Sequence, residues 1–170
     1  MIDFDTMYRR HSPEVLRFSL YLCGEASEAE DLCAAAFLRA WMSTAPVRVG
    51  TVRAYLFVIA RNLYRDRQRR RLGRAHAREG PLDESVPDPR PDPGAAAEAR
   101  SDLDRVIRAL QKLDENDRAI VGMSAFQEMS HADIAAALEL SLSAVKVRLH
   151  RARLRLSGLL GELGRTRYES

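Results

Sequence analysis

Apolar residues recur along most of this chain with the spacing of a helix face, and strand-like alternation is scarce. Phe4, Met7, Tyr8, Val15, Leu16 and Leu20 mark an opening helix, expected to break or restart near Ser12-Pro13, where proline suits a first turn. A second stripe runs through Ala29, Leu32, Cys33, Ala36, Phe37, Ala40 and Trp41, with Ser27 as its expected N-cap and Glu28, Glu30 and Asp31 in the first turn. Pro46 and Gly50 break the chain, and a third helix is expected from Thr51 to about Leu72, burying Val52, Tyr55, Leu56, Ile59 and Leu63. Further on, Leu103, Val106, Ile107, Leu110 and Leu113 form one stripe. Ala119, Ile120, Met123 and Phe126 form the next, after a turn at Asp114–Asp117.

Between these groups, residues 79–101 hold five of the seven prolines and a surplus of acids, with no apolar period. The expected architecture is all-α: two small helical domains, residues 1–75 and 102–162, joined by a flexible, acidic, Pro-rich linker over 76–101. A length of 170 residues allows one domain or two small ones, and 46% hydrophobic with 30% charged residues is enough apolar content for a core. Two cysteines make no disulfide scaffold, no CxxC or Cys/His ligand spacing occurs, and a reducing compartment is expected. The longest apolar run, Leu32 to Leu38, falls far short of the ~20 residues that span a bilayer. A soluble, cytoplasmic protein without membrane insertion is expected.

Net charge is only +3, but 25 of the 27 basic residues are arginine and they are unevenly placed. Arg53, Arg61, Arg65, Arg67, Arg69, Arg70, Arg71 and Arg74 lie within 22 residues interrupted by one acid, Asp66, and are expected on an exposed face. Such density repels itself unless an anion screens it, and nucleic-acid phosphate is the commonest such partner. A solvated basic helix end is the plainer alternative. Tyr55, Phe57 and Tyr64 interleave with these arginines, which suits base stacking, although aromatics at helical spacing more often belong to a core.

The pattern after Met129 is the most specific. Ser130 caps a short helix bearing Ile134, Ala135 and Leu138, Glu139-Leu140-Ser141 makes a tight turn, and a longer helix follows from about Ser143 with Val145 and Leu149 buried. This is a helix-turn-helix, in which a small residue at Ala135 lets the helices cross closely. Its second helix presents Ser143, Lys146, Val147, Arg148, His150 and Arg151, cations suited to phosphate contact and guanine reading in the major groove. An ordinary amphipathic helix with a basic face is the alternative. No catalytic or metal-ligating constellation and no phosphate-cradling glycine loop is present in the sequence, so neither an enzyme nor a cofactor or metal is expected.

The order of EAEDL and FLRAW in one helix, RAYLFVIARNLYRDRQRRR in the next, a Pro-rich linker and a terminal AVKVRLHRARLRL resembles the extracytoplasmic-function (ECF) sigma factors of bacterial RNA polymerase. The resemblance covers nearly the whole chain outside the linker and the last residues. It implies promoter-specific initiation with core RNA polymerase and promoter DNA as partners, and an anti-sigma factor as an inhibitory one. Asp31, Leu32, Phe37, Leu38, Arg39 and Trp41 match the helix that docks on the polymerase clamp. Val47 to Tyr55 match a loop that captures an unstacked base of the minus-ten element. Tyr55, Arg61, Asn62, Arg65, Asp66 and Arg69 match the minus-ten set. Ser143, Ala144, Lys146, Val147, Arg148 and Arg151 match the helix that reads the minus-thirty-five element. The chain departs from the family at Ala34 and Ala35, where polar residues are usual, at Tyr55 in place of tryptophan, at Leu113-Asp114 in place of Leu-Pro, and at Ala144 in place of threonine. A free-standing helix-turn-helix regulator, binding duplex DNA without acting as a polymerase subunit, is the competing reading.

Overall fold

A computed structural model describes residues 3–44, 51–77, 95–126 and 129–165. Among them are seven α-helices and no strand: α1 Phe4–Cys23, α2 Ala26–Met42, α3 Val52–Ala77, α4 Ala95–Gln111, α5 Glu115–Ser124, α6 His131–Leu138 and α7 Leu142–Arg165. The all-α expectation holds, with differences at the boundaries. α1 runs unbroken through Pro13, although a proline inside a helix forfeits one backbone bond. Burial of Val15, Phe18 and Leu22 along a single stripe keeps the helix continuous across it.

α2 begins before Ser27 and lacks a side-chain cap, because the turn is set by Gly24 instead. Gly24 closes α1 at φ 77° and its N–H donates to the Leu20 carbonyl, so only two residues, Gly24 and Glu25, separate the helices. Only glycine fits this left-handed position without strain, and a Cβ here would also lie 2.7 Å from Gln111 Cδ. The expected linker is shorter than 76–101, since 76–77 belong to α3 and 95–101 to α4; residues 78–94, and 45–50 before α3, lie outside the described residues.

α1, α2 and α3 pack as one set and α5, α6 and α7 as another, but α1 also contacts α4 and α5, and α3 contacts α6. The two halves therefore share a core instead of standing apart. Phe18 of α1 stacks on Phe57 of α3 with ring centroids 4.4 Å apart, and Phe57 meets Phe126 at 5.1 Å. Phe18, Phe57 and Met123 are fully buried. α5 approaches α1 closely at Gly122, where a Cβ would sit 2.9 Å from the Phe18 ring.

Candidate nucleic-acid interface

The helix-turn-helix forms where the sequence places it. Ser130 accepts from the Asp133 N–H at 3.1 Å while the Asp133 carboxylate accepts from the Ser130 N–H at 3.0 Å, a reciprocal capping box that starts α6. Glu139 ends α6 in the left-handed region at φ 55°, and the chain turns through Leu140 and Ser141 into α7. Ala135, Ile134, Val145 and Leu149 are buried where α6 and α7 cross. Ser143, Lys146, Val147 and Arg151 are exposed along the first turns of α7, and Ala144 and Arg148 are half-buried. Arg148 Nη1 donates to Asp117 at 3.1 Å and lies 3.8 Å from Asp114.

Of the α2 set matched to polymerase docking, Leu32 and Phe37 are buried in the core, so they shape the helix from within. Asp31, Leu38, Arg39 and Trp41 are exposed. Leu38 and Trp41 are 59% and 54% exposed and, with Met42 at 72%, leave apolar side chains uncovered at the end of α2. Trp41 is braced edge-on by Phe4 at 5.3 Å.

The arginines of α3 do not form one exposed face, and here the expectation is corrected. Arg53 donates to Glu14 at 2.5 and 2.9 Å and is mostly covered. Arg71 pairs with buried Glu28 at 3.1 Å. Arg61 is only 6% exposed, since helix period turns it toward α5. Its Nε donates to Glu115 at 2.6 Å, and Nη2 donates to Glu115 at 3.2 Å and to Asn116 at 2.5 Å. Arg65 lies 3.8 Å from the same carboxylate. Asn62, Arg65 and Arg69 are exposed, and with Ile59, half-buried Asp66 and Arg39 they line a polar pocket of about 330 Å³. Phe57 and Tyr64 are core residues, leaving half-buried Tyr55 as the aromatic of that trio with a reachable ring.

A second pocket, about 350 Å³, lies where α3 starts against α1 and is lined by Thr6, Met7, Arg10, His11, Thr51, Val52 and Arg53. It abuts the segment that the resemblance assigns to base capture, Val47 to Tyr55, whose residues 47–50 are outside the described set.

Glu115, Asn116 and Arg118 escaped the sequence reading, in which 114–117 was a turn and nothing more. Arg118 is 8% exposed and reaches back to α3, donating to the Leu113 carbonyl at 2.7 Å and to the Tyr64 hydroxyl at 3.0 Å. Burial raises the Tyr64 hydroxyl above its usual range, and the adjacent Arg118 charge opposes that rise. These partners lie 54 residues apart in sequence, a separation at which no local pattern signals pairing.

No group of His, Cys, Asp and Glu among the described residues could hold a metal ion, and no helix there is long and apolar enough to cross a membrane.

Comparison with known proteins agrees with this geometry. The family model described as Sigma-70 region 2 matches residues 7–74, and that described as Sigma-70, region 4 matches residues 103–156. The ECF RNA polymerase sigma factor SigL of Mycobacterium tuberculosis is 35% identical over 171 residues, spanning 95% of this chain and 90% of that protein. The RNA polymerase sigma factor CnrH of Cupriavidus metallidurans is 32% identical over 166 residues, 92% of this chain and 86% of that one. Among solved structures, the sigma factor RpoE in complex with the anti-sigma factor NepR from Bartonella quintana superimposes with a TM-score of 0.76 at 27% identity, covering 94% of this chain and 97% of that one. CnrH in complex with the cytosolic domain of CnrY gives 0.66 at 28%, covering 94% and 88%.

Proposed function

The chain belongs to the ECF sigma factors of bacterial RNA polymerase, subunits that direct promoter-specific initiation with the core enzyme, and from that premise we propose how its surfaces divide the work. The carrying observation is that two surfaces of different chemistry remain open on one chain. An apolar patch with Leu38 and Trp41 stands on α2, and a basic helix with Lys146 and Arg151, α7, is the second helix of the helix-turn-helix.

Core polymerase docks on Asp31, Leu38, Arg39 and Trp41, where the apolar side chains supply burial and Arg39 and Asp31 supply register. α7 enters the major groove of the minus-thirty-five duplex through Ser143, Ala144, Lys146, Val147, Arg148 and Arg151. Tyr55, Asn62, Arg65, Asp66 and Arg69 serve the minus-ten strand, with Arg61 joining them once it is uncovered. Arginine neutralises phosphate and an aromatic ring holds an unstacked base, the two needs of a melted promoter. Residues 1–75 carry core docking and the minus-ten contacts, residues 102–162 carry the minus-thirty-five contacts, and the protein acts in the cytoplasm as a specificity subunit without chemistry of its own.

An anti-sigma factor is a further partner in this reading. Support comes from the superposition of both halves at once on a sigma factor complexed with NepR, which implies the same relative placement of the halves.

The test is the affinity of labelled protein for bacterial core RNA polymerase without DNA, followed by run-off transcription from a promoter selected with the holoenzyme. Saturable binding at physiological salt and promoter-dependent transcripts are expected. Duplex binding without any affinity for core polymerase would replace this reading with the free-standing regulator.

A further inference from the structure

The second helix of the helix-turn-helix is held by α5 as well as by α6. Val145, Leu149 and Ala152 are buried and mark the inward stripe of α7, while Ser143, Val147 and Arg151 stand exposed on its other side. Arg148 falls between the two, half-buried on the edge that meets α5. A single nitrogen carries its contacts there, since Nη1 donates to Asp117 at 3.1 Å and lies 3.8 Å from Asp114. Nε and Nη2 of the same planar fork can meet a second acceptor. The two acids are themselves fixed: Asp114 Oδ1 accepts from the Asp117 N–H at 2.8 Å as the cap of α5, while its Oδ2 faces Arg148. Asp114 stands where the family resemblance has proline, which carries no carboxylate, so this pair of acids belongs to this chain.

We propose that Asp117, with Asp114, is a positioning residue for duplex recognition: it aims the Arg148 guanidinium at one backbone phosphate beside the major groove and so fixes the register of α7. The proposal rests on the reading of α7 as the minus-thirty-five helix. An arginine side chain gives up rotamer freedom when it grips a phosphate, and a contact that has already ordered it removes that cost from binding. The same two carboxylates repel the phosphates of any duplex that comes close. The arrangement therefore weakens nonspecific attraction while strengthening a contact made only in register, and the two effects have opposite signs.

The full chain, assembled with core RNA polymerase, is titrated by anisotropy against two fluorescein-labelled duplexes. One is the minus-thirty-five half of a promoter selected with the holoenzyme, and the other has that sequence scrambled at the same length. Arg148→Ala is expected to weaken half-site binding about tenfold and to lower its salt slope by about 0.9. Asp117→Ala is expected to weaken it about fivefold while the scrambled duplex binds as tightly or more tightly, since an acid has been removed. Asp114→Asn keeps a cap on α5, drops the charge and acts in the same direction but less, in line with its longer distance. In an Arg148→Ala background, Asp117→Ala should weaken half-site binding no further. Arg148→Lys keeps the charge without the fork, so it should retain scrambled binding and lose most of the half-site preference.

Unchanged half-site binding in Asp117→Ala overturns the proposal. Tighter half-site binding with a steeper salt slope also overturns it, because the acid would then only hold Arg148 back. Equal weakening in the wild-type and Arg148→Ala backgrounds does the same, by placing the effect in α5 itself. Helicity checks each fold, and Asp117→Asn carries the test if Asp117→Ala does not fold. Failure of the underlying reading looks different: the wild-type holoenzyme would then show no preference for the half-site over the scrambled duplex, Lys146→Ala and Arg151→Ala would change neither, and the proposal would fall with it.

Discussion

Cys33 lies 5% exposed in the contact of α2 with α1, its Sγ 3.8 Å from the Ser12 carbonyl, and burial pushes its thiol up to about 11. Cys23, whose Sγ donates to the Glu25 carbonyl at 3.2 Å, is also raised by burial. A raised thiol is protonated in the fold, so its contribution to stability is complete below the ordinary value of 9.0 and is lost as pH rises from there toward 11. At about pH 8 the thiolate fraction of Cys33 is about one in a thousand, so native protein should resist iodoacetamide while urea-unfolded protein labels at both cysteines. Mass spectrometry of timed samples checks this, and rapid native labelling at Cys33 would show that α2 opens away from α1. Such residues reveal their type of role in sequence, because a small apolar side chain on a stripe belongs inside. Arg61 does not. Its neighbours Asn62 and Arg65 face solvent while Arg61 is buried, and that difference comes from a carboxylate 54 residues away.

At the scale of elements, capping chemistry and period carried most of the information. Ser130 as the cap of α6 and the stripes of α2 and α5 stand where the pattern set them, because each uses interactions within a turn or two. The first turns of α4 were read as linker because the prolines just before them dominated, although Ala-Ala-Ala-Glu-Ala-Arg is a run of strong helix formers. One element carries local strain. Glu139 ends α6 at φ 55° and ψ 41°, a conformation that costs a side-chain-bearing residue about 1 kcal/mol and glycine almost nothing. Glycine there also gains freedom in the unfolded chain, which offsets part of the relief. Glu139→Gly is therefore expected to raise the melting temperature by about 1–3 °C without changing helicity. A lower melting temperature would mean that the Glu139 side chain stabilises the turn through contacts outweighing the backbone strain.

For the whole molecule, the junction of the halves was the illegible part. Phe126 sits on the stripe of Ala119, Ile120 and Met123, Phe57 reads as an aromatic among the arginines and Phe18 falls outside the opening stripe, so nothing in the pattern joins the three and two separate domains was the natural expectation. Their rings instead build one cluster that runs from α1 through α3 to the end of α5, and a shared cluster couples the stability of everything that packs on it. This coupling has a direct readout, since Trp41, the only tryptophan, stands on α2 in the first half and Phe126 belongs to the second. Truncating a buried phenylalanine costs about 3–5 kcal/mol through lost burial and the cavity left behind. Phe126→Ala should then lower the denaturation midpoint reported by Trp41 fluorescence along with that reported by helical circular dichroism, the two transitions remaining coincident. If α1, α2 and α3 were an independent unit, Trp41 would unfold at its wild-type midpoint while only part of the helical signal moved. The coincident shift is expected because the shared aromatic cluster and the Arg61 and Arg118 contacts tie α5 directly to the packing of α1 on α3.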